Sequence, residues 1–144
     1  MRMDKSFLLV TNNALATERY REHPAIAVEY LEGGSFLDVL IKTRDYLHGG
    51  WHLLSHPQAS NLKPNQCPYK TILISNGRAA QPFERDIELI ELAISAYHKF
   101  TKGMTPPKWP ESTLRDFRTV ELSVVESALD SSLMQQMMYS NSKI

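Results

Sequence analysis

Apolar residues follow two rhythms along this chain: short unbroken runs, and longer stretches spaced by three and four. The runs are Phe7-Leu8-Leu9-Val10, Ala25–Leu31 with Ile26, Val28 and Tyr30, about Trp51–Ser55, and Lys70–Ser75 around Ile72-Leu73-Ile74. Unbroken runs of this length suit strands buried on both faces. Between them the spacing turns helical. A short helix over Leu15–Arg21 is stopped by the His23-Pro24 step, because the residue before proline avoids the helical region. Gly33-Gly34 makes a turn, and Ser35-Phe36-Leu37-Asp38 has the form of a capping box with Asp in the place of Glu. The helix it opens runs to about His48 and ends at Gly49-Gly50, which tolerates a left-handed cap. From Phe83 or Glu84, the residues Ile87, Ile90, Ala93, Ile94, Tyr97 and Phe100 share one helix face, closed by Gly103.

Past the proline-rich stretch TPPKWP (105–110), Leu114, Phe117, Val120, Val124, Ala128, Leu129, Leu133 and Met137 mark a last amphipathic helix. Strands alternating with helices predict an α/β fold with covered sheet faces. The expected form is a small, mostly parallel four-stranded sheet with flanking helices, Rossmann-like and three-layered, plus the long C-terminal helix. The chain then divides into an α/β domain over 1–103, a connector over 104–111, and a helix over 112–139. That helix packs on its own domain or on a second subunit. If the fourth strand, about Lys70–Ser75, runs antiparallel instead, Ser75 and Asn76 move to the opposite rim.

Composition narrows the class. The 144 residues carry 42% hydrophobic and 22% charged side chains, ordinary for a globular chain, and 16 basic residues balance 16 acidic ones. No global field draws such a chain to nucleic acid or an anionic membrane. Only four apolar residues in a row follow the start, too few for a signal-peptide core or a membrane span. One cysteine, Cys67, excludes an intramolecular disulfide framework, and the expected compartment is the cytoplasm. Charge is uneven, however. From Tyr46 to Phe83 there is no Asp or Glu, while Lys63, Lys70 and Arg78 stand there with His48, His52 and His56. Few acids are expected in a buried strand pair with its loop; a local anion-attracting surface is the functional alternative.

The loop from Pro57 to Lys70 is longer than the ~4–6 residues usual in compact domains. Pro57, Pro64 and Pro68 stiffen it, so it reads as an ordered loop presenting Lys63, Asn65, Tyr69 and Lys70. In parallel sheets, ligands bind at the carboxyl ends of the strands. Here those ends offer Asn12 and Asn13, Ser35, His56, and Ser75 and Asn76, though turn chemistry alone accounts for much of the Asn, Gly and Ser there. These ten residues, four of them on the loop, make the candidate ligand-binding set.

Other chemistries fit less well. His48, His52 and His56 are evenly spaced, but Gly49-Gly50 breaks any common helix. On one strand His52 and His56 would lie ~13 Å apart, too far for a shared metal bonded at ~2 Å. No metal and no cofactor is expected. No nucleophile elbow is present. Cys67 sits near Lys63 and Lys70 in sequence, which would favour its thiolate if they are close. His56 has a suitable unperturbed pKa for acid–base work, but no second catalytic group accompanies it, so the residues favour binding over catalysis. Gly33-Gly34-Ser35 before a helix is a candidate anion cradle, with an ordinary capped turn as the simpler reading.

Several pieces then fall into a familiar order. They are Thr11-Asn12-Asn13, Val28-Glu29-Tyr30-Leu31-Glu32-Gly33, Asp38-Val39-Leu40, Arg44-Asp45-Tyr46 and His48-Gly49, followed by His56-Pro57, Leu62-Lys63-Pro64-Asn65 and Pro68-Tyr69-Lys70. Over roughly residues 6–100 the chain resembles the GrdX family, small proteins encoded beside glycine, sarcosine or betaine reductase components. The resemblance implies a non-catalytic, cytoplasmic accessory role in reductive amino-acid metabolism, and it transfers no catalytic residues. The expected partners are a small anionic or polar ligand or a reductase-complex component, with a homo-oligomer through the C-terminal helix as a further expectation. Two alternatives stand beside this: a small enzyme using His56 as general acid or base, with Asn12 or Lys63 polarising a substrate oxygen, and an adaptor acting through the C-terminal helix.

Overall fold

The computed structural model describes residues 5–58, 64, 66–77, 79, 81–104 and 107–130. Four strands and four helices follow one another as β1 (Phe7–Thr11), α1 (Ala14–Tyr20), β2 (Ile26–Tyr30), α2 (Phe36–His48), β3 (His52–Leu53), β4 (Thr71–Ser75), α3 (Phe83–Thr101) and α4 (Glu111–Leu129). The apolar runs became strands because alternate residues could be buried on opposite faces. In β1, Leu8 and Val10 pack with Val39, Leu40, Leu47, Ile90 and Ile94 of α2 and α3. Phe7 and Leu9 point the other way, to Tyr20 of α1 and Val125 and Leu129 of α4. The same split divides β4: Ile72 and Ile74 face α2 and α3, and Leu73 faces α4. Helices therefore cover both faces of the sheet.

The strand order is β2-β1-β4-β3. β1 and β2 pair in parallel, with Phe7 opposite Ile26 and Thr11 opposite Tyr30. β4 runs against both neighbours, with Phe7 opposite Ser75, Thr11 opposite Thr71, and His52 opposite Ser75. The sheet is mixed, which corrects the mostly parallel arrangement expected from the sequence. A parallel connection needs a crossover, usually a helix, to bring the chain back to the same end. Helices α1 and α2 follow β1 and β2 in that way. Among the described residues between β3 and β4 there is no helix, and the chain returns antiparallel. β3 is also shorter than the expected Trp51–Ser55, with two residues in the ladder.

Local signals set the helix ends. The capping box forms in full: Ser35 Oγ accepts from the Asp38 N–H at 3.0 Å, and Asp38 Oδ2 accepts from the Ser35 N–H at 2.8 Å. At the far end of α2, Gly50 takes φ +105°, a conformation in which a side chain would be strained. The last nine residues of the expected helix, 131–139, with Leu133, Met134, Met137 and Met138, lie outside the described residues.

Candidate functional site

Antiparallel β4 brings its first residue, not its last, to the carboxyl ends of β1 and β2. Thr11, Asn12, Asn13, Tyr69, Lys70 and Thr71 therefore meet at one rim. Ser75 and Asn76 lie at the other, beside Phe7 and Ser6. That corrects their place in the expected set, for the directional reason just given. Ser75 Oγ accepts from the Gly77 N–H at 3.0 Å, an ordinary turn bond. Ser35 sits near the rim, but its hydroxyl and N–H are both used in the cap of α2. Lys63 and Asn65 lie outside the described residues.

Asn12 fastens the loop to the rim. Its amide donates to the carbonyls of Gly34 (3.0 Å) and Pro68 (2.8 Å), and its Oδ1 accepts from the Lys70 N–H at 2.9 Å. One side chain thus ties the β2–α2 turn to the start of β4. Asn13 does the same for the helices. Its Oδ1 caps α1 at the Leu15 N–H (3.0 Å), while its amide donates to the Arg118 carbonyl (3.0 Å) and Glu121 Oε1 (2.9 Å). Glu121, 5% exposed, also accepts from Thr71 Oγ1 at 2.9 Å, and Thr71 Oγ1 shares a 2.6 Å bond with Thr11 Oγ1. Desolvation raises the Glu121 pKa above its usual value, against the hydrogen bonds from Asn13 and Thr71 and the charge of Lys70.

Lys70 is the other buried charge, 4% exposed, with its ammonium 5.6 Å from the centre of the Phe36 ring. Burial pushes its pKa down to about 8, and the Glu121 charge is the largest influence in the opposite direction. Among the described residues the ion pairs lie elsewhere, as in Arg19–Glu126 and Arg44–Glu91, and none joins Lys70 to Glu121. Both line a cavity of about 40 Å³, with Ser55, His56, Tyr69 and Thr71 as further polar groups and Leu9, Leu73, Val125 and Leu129 as apolar ones.

Around the mouth, Arg118 Nη1 donates to Tyr69 Oη at 2.8 Å. His56 is exposed, and its Nδ1 accepts from the Gln58 N–H at 3.0 Å. Partial burial first, then the charges of Lys70 and Arg85, lower its pKa, so it is neutral at pH 7. Cys67 departs from expectation. It is 1% exposed, and burial lifts its pKa to about 11; the backbone bond at Tyr69 and the Lys70 charge only partly oppose this. Its thiol is protonated at neutral pH, contrary to the thiolate that neighbouring lysines would favour.

Of the expected set, the structure brings Asn12, Asn13, His56, Tyr69 and Lys70 together at this rim. Glu121, Thr11, Thr71 and Arg118 were not singled out. Glu121 had a readable signature: it stands four residues from both Phe117 and Val125, an acid on the apolar stripe of an amphipathic helix.

The family model for GrdX-like proteins matches residues 8–130. The chain belongs to the GrdX-like family. The match runs from within β1 to the residue after α4, so α4 is part of the family's common chain. The resemblance over residues 6–100 had stopped short of it. Glu121 and Arg118 lie inside the matched span, along with every rim residue named above. No curated protein and no solved structure matches the chain. Among the described residues, no helix is long and apolar enough to cross a membrane.

Proposed function

We propose that this GrdX-like chain is a non-catalytic accessory protein of a glycine reductase-type system in the cytoplasm. In this reading it binds a small anionic or polar ligand, or a reductase component, at the rim formed by Asn12, Asn13, Tyr69 and Lys70. Family membership supports the metabolic setting. The observation that carries the binding role is Lys70: its ammonium is buried at a cavity and makes no ion pair among the described residues. An unpaired buried ammonium is costly, and natural chains keep such a group where a ligand or partner compensates it.

The test is a thermal-shift screen of wild type and Lys70→Met against phosphate, acetate, amino acids and nucleotides, with a pull-down against reductase components in parallel. A ligand that binds only the folded state raises the midpoint once its concentration passes its dissociation constant. The reading expects a shift lost in Lys70→Met, or retention of a reductase component. The absence of both would defeat it. An enzymatic reading draws on one further observation, that neutral His56 lines the same cavity. It requires a turnover that His56→Ala abolishes with the fold intact.

A further inference from the structure

The cavity at the rim presents one buried cation and one buried carboxyl group, separated from each other. Lys70 reaches it from the start of β4 and Glu121 from the middle of α4, 4% and 5% exposed respectively. Two opposite charges buried this close would ordinarily close into a direct ion pair, since each bears a large desolvation penalty alone. Here each is held by something else. The Phe36 ring lies under the Lys70 ammonium at 5.6 Å, and Asn13 and Thr71 both donate to Glu121 Oε1. Those two bonds fix the carboxylate in place through Oε1, with the Thr71 backbone beside it.

We infer that the Lys70–Glu121 cavity binds the zwitterion of a small α-amino acid, its carboxylate on Lys70 and its ammonium on Glu121. The inference deepens the ligand-binding reading above and rests on it. Charge selects this class. A lone anion would leave Glu121 facing a second negative charge in a desolvated space, and a lone cation would do the same to Lys70. A molecule with both charges satisfies both residues and leaves the site neutral. Size narrows it further. One water needs roughly 10–15 Å³ of such space, so about 40 Å³ takes a body of only a few non-hydrogen atoms. The apolar walls, Leu73, Val125 and Leu129, offer a methyl-sized side chain contact but no polar partner.

The experiment titrates the full chain with glycine, alanine, acetate and methylammonium, reading calorimetric heat and amide shifts by NMR. Glycine or alanine is expected to bind, with shifts centred on Tyr69, Lys70, Thr71 and Glu121. Acetate and methylammonium, each supplying half of the pair, are expected to bind at least about tenfold more weakly. Lys70→Met and Glu121→Gln should each weaken amino-acid binding by a similar factor. The second keeps the volume and the acceptor oxygen for Asn13 and Thr71, so loss of fold is not its expected outcome. Acetate binding as tightly as glycine would overturn the zwitterion while leaving an anion site standing. Amino-acid binding that survives both substitutions would overturn it too. No binding by any of the four probes would overturn the zwitterion, and capture of a reductase component would then still separate that failure from failure of the accessory role.

Discussion

Lys70 is held in its folded position at the expense of its charge. The unfolded chain keeps the Lys70 proton up to the ordinary value of 10.5, and the folded chain only to about 8. Below pH 8 both states hold the proton and the penalty of burying it is present in full. Between about 8 and 10.5 the unfolded state binds more protons, so this residue's contribution to stability rises with pH. The whole effect is about 3 kcal/mol. Other groups act oppositely at the upper end, since burial raises Cys67 to about 11 and Tyr20 and Tyr46 to about 12. The clean measurement is therefore a difference. Urea-unfolding free energies of wild type minus Lys70→Met should rise by a few kcal/mol from pH 7.5 to 10, and a flat difference would mean that Lys70 is solvated. At this scale the sequence was partly legible. Lys70 stood out in a window without acids, yet the acid that answers it, Glu121, lies 51 positions away on another element. No local pattern carries such a pairing.

Between elements, Asn13 does most of the joining. It caps α1 with its oxygen and holds α4 with its nitrogen, so a change at either atom should be felt in both helices. Asn13→Asp keeps the capping oxygen and replaces the amide donors with a carboxylate facing Glu121. The expected loss is about 2–4 kcal/mol at pH 7, from two missing donors and a buried like-charge contact. It should shrink on acidification, because protonating either carboxyl group relieves the repulsion. Chemical denaturation at pH 7 and pH 5 checks both parts. Which segments would be strands or helices was readable from apolar spacing, and the α2 cap from four residues. Strand direction was not. A loop of this length can carry either a crossover or an antiparallel return, and only the pairing of β4 with β1 decides between them.

For the molecule as a whole, the second sheet face depends on α4. Phe7, Leu9, Tyr20, Ile26 and Leu73 are covered on that side by Val125 and Leu129, with Leu122 beside them. A chain ending at Gly103 would expose this apolar surface and orphan the Asn13 amide, so it is expected to lose cooperative folding rather than merely a binding surface. Removing the C-terminal helix therefore does not isolate an adaptor role. Cys67 supplies the measurement. At 1% exposure and a pKa of about 11, it should react with a thiol reagent at pH 8 only when the intact chain opens, far more slowly than in denaturant. In the truncated chain it should react at close to the denatured rate. Slow labelling there would show that residues 1–103 fold alone.

The bond between Asn13 and Glu121 spans 108 positions, and a ribosome makes the first of these residues long before the second. At ~5–20 residues per second the interval is roughly 5–20 s. Even after β4 has been made, the apolar residues of the second sheet face lack their cover of Val125 and Leu129, and Asn13 lacks its partner. The cavity comes into being only once α4 has been made, so chains terminated before it are left with an exposed apolar face that chaperones and proteases recognise. Synthesis of α4 and completion of the cavity become one event.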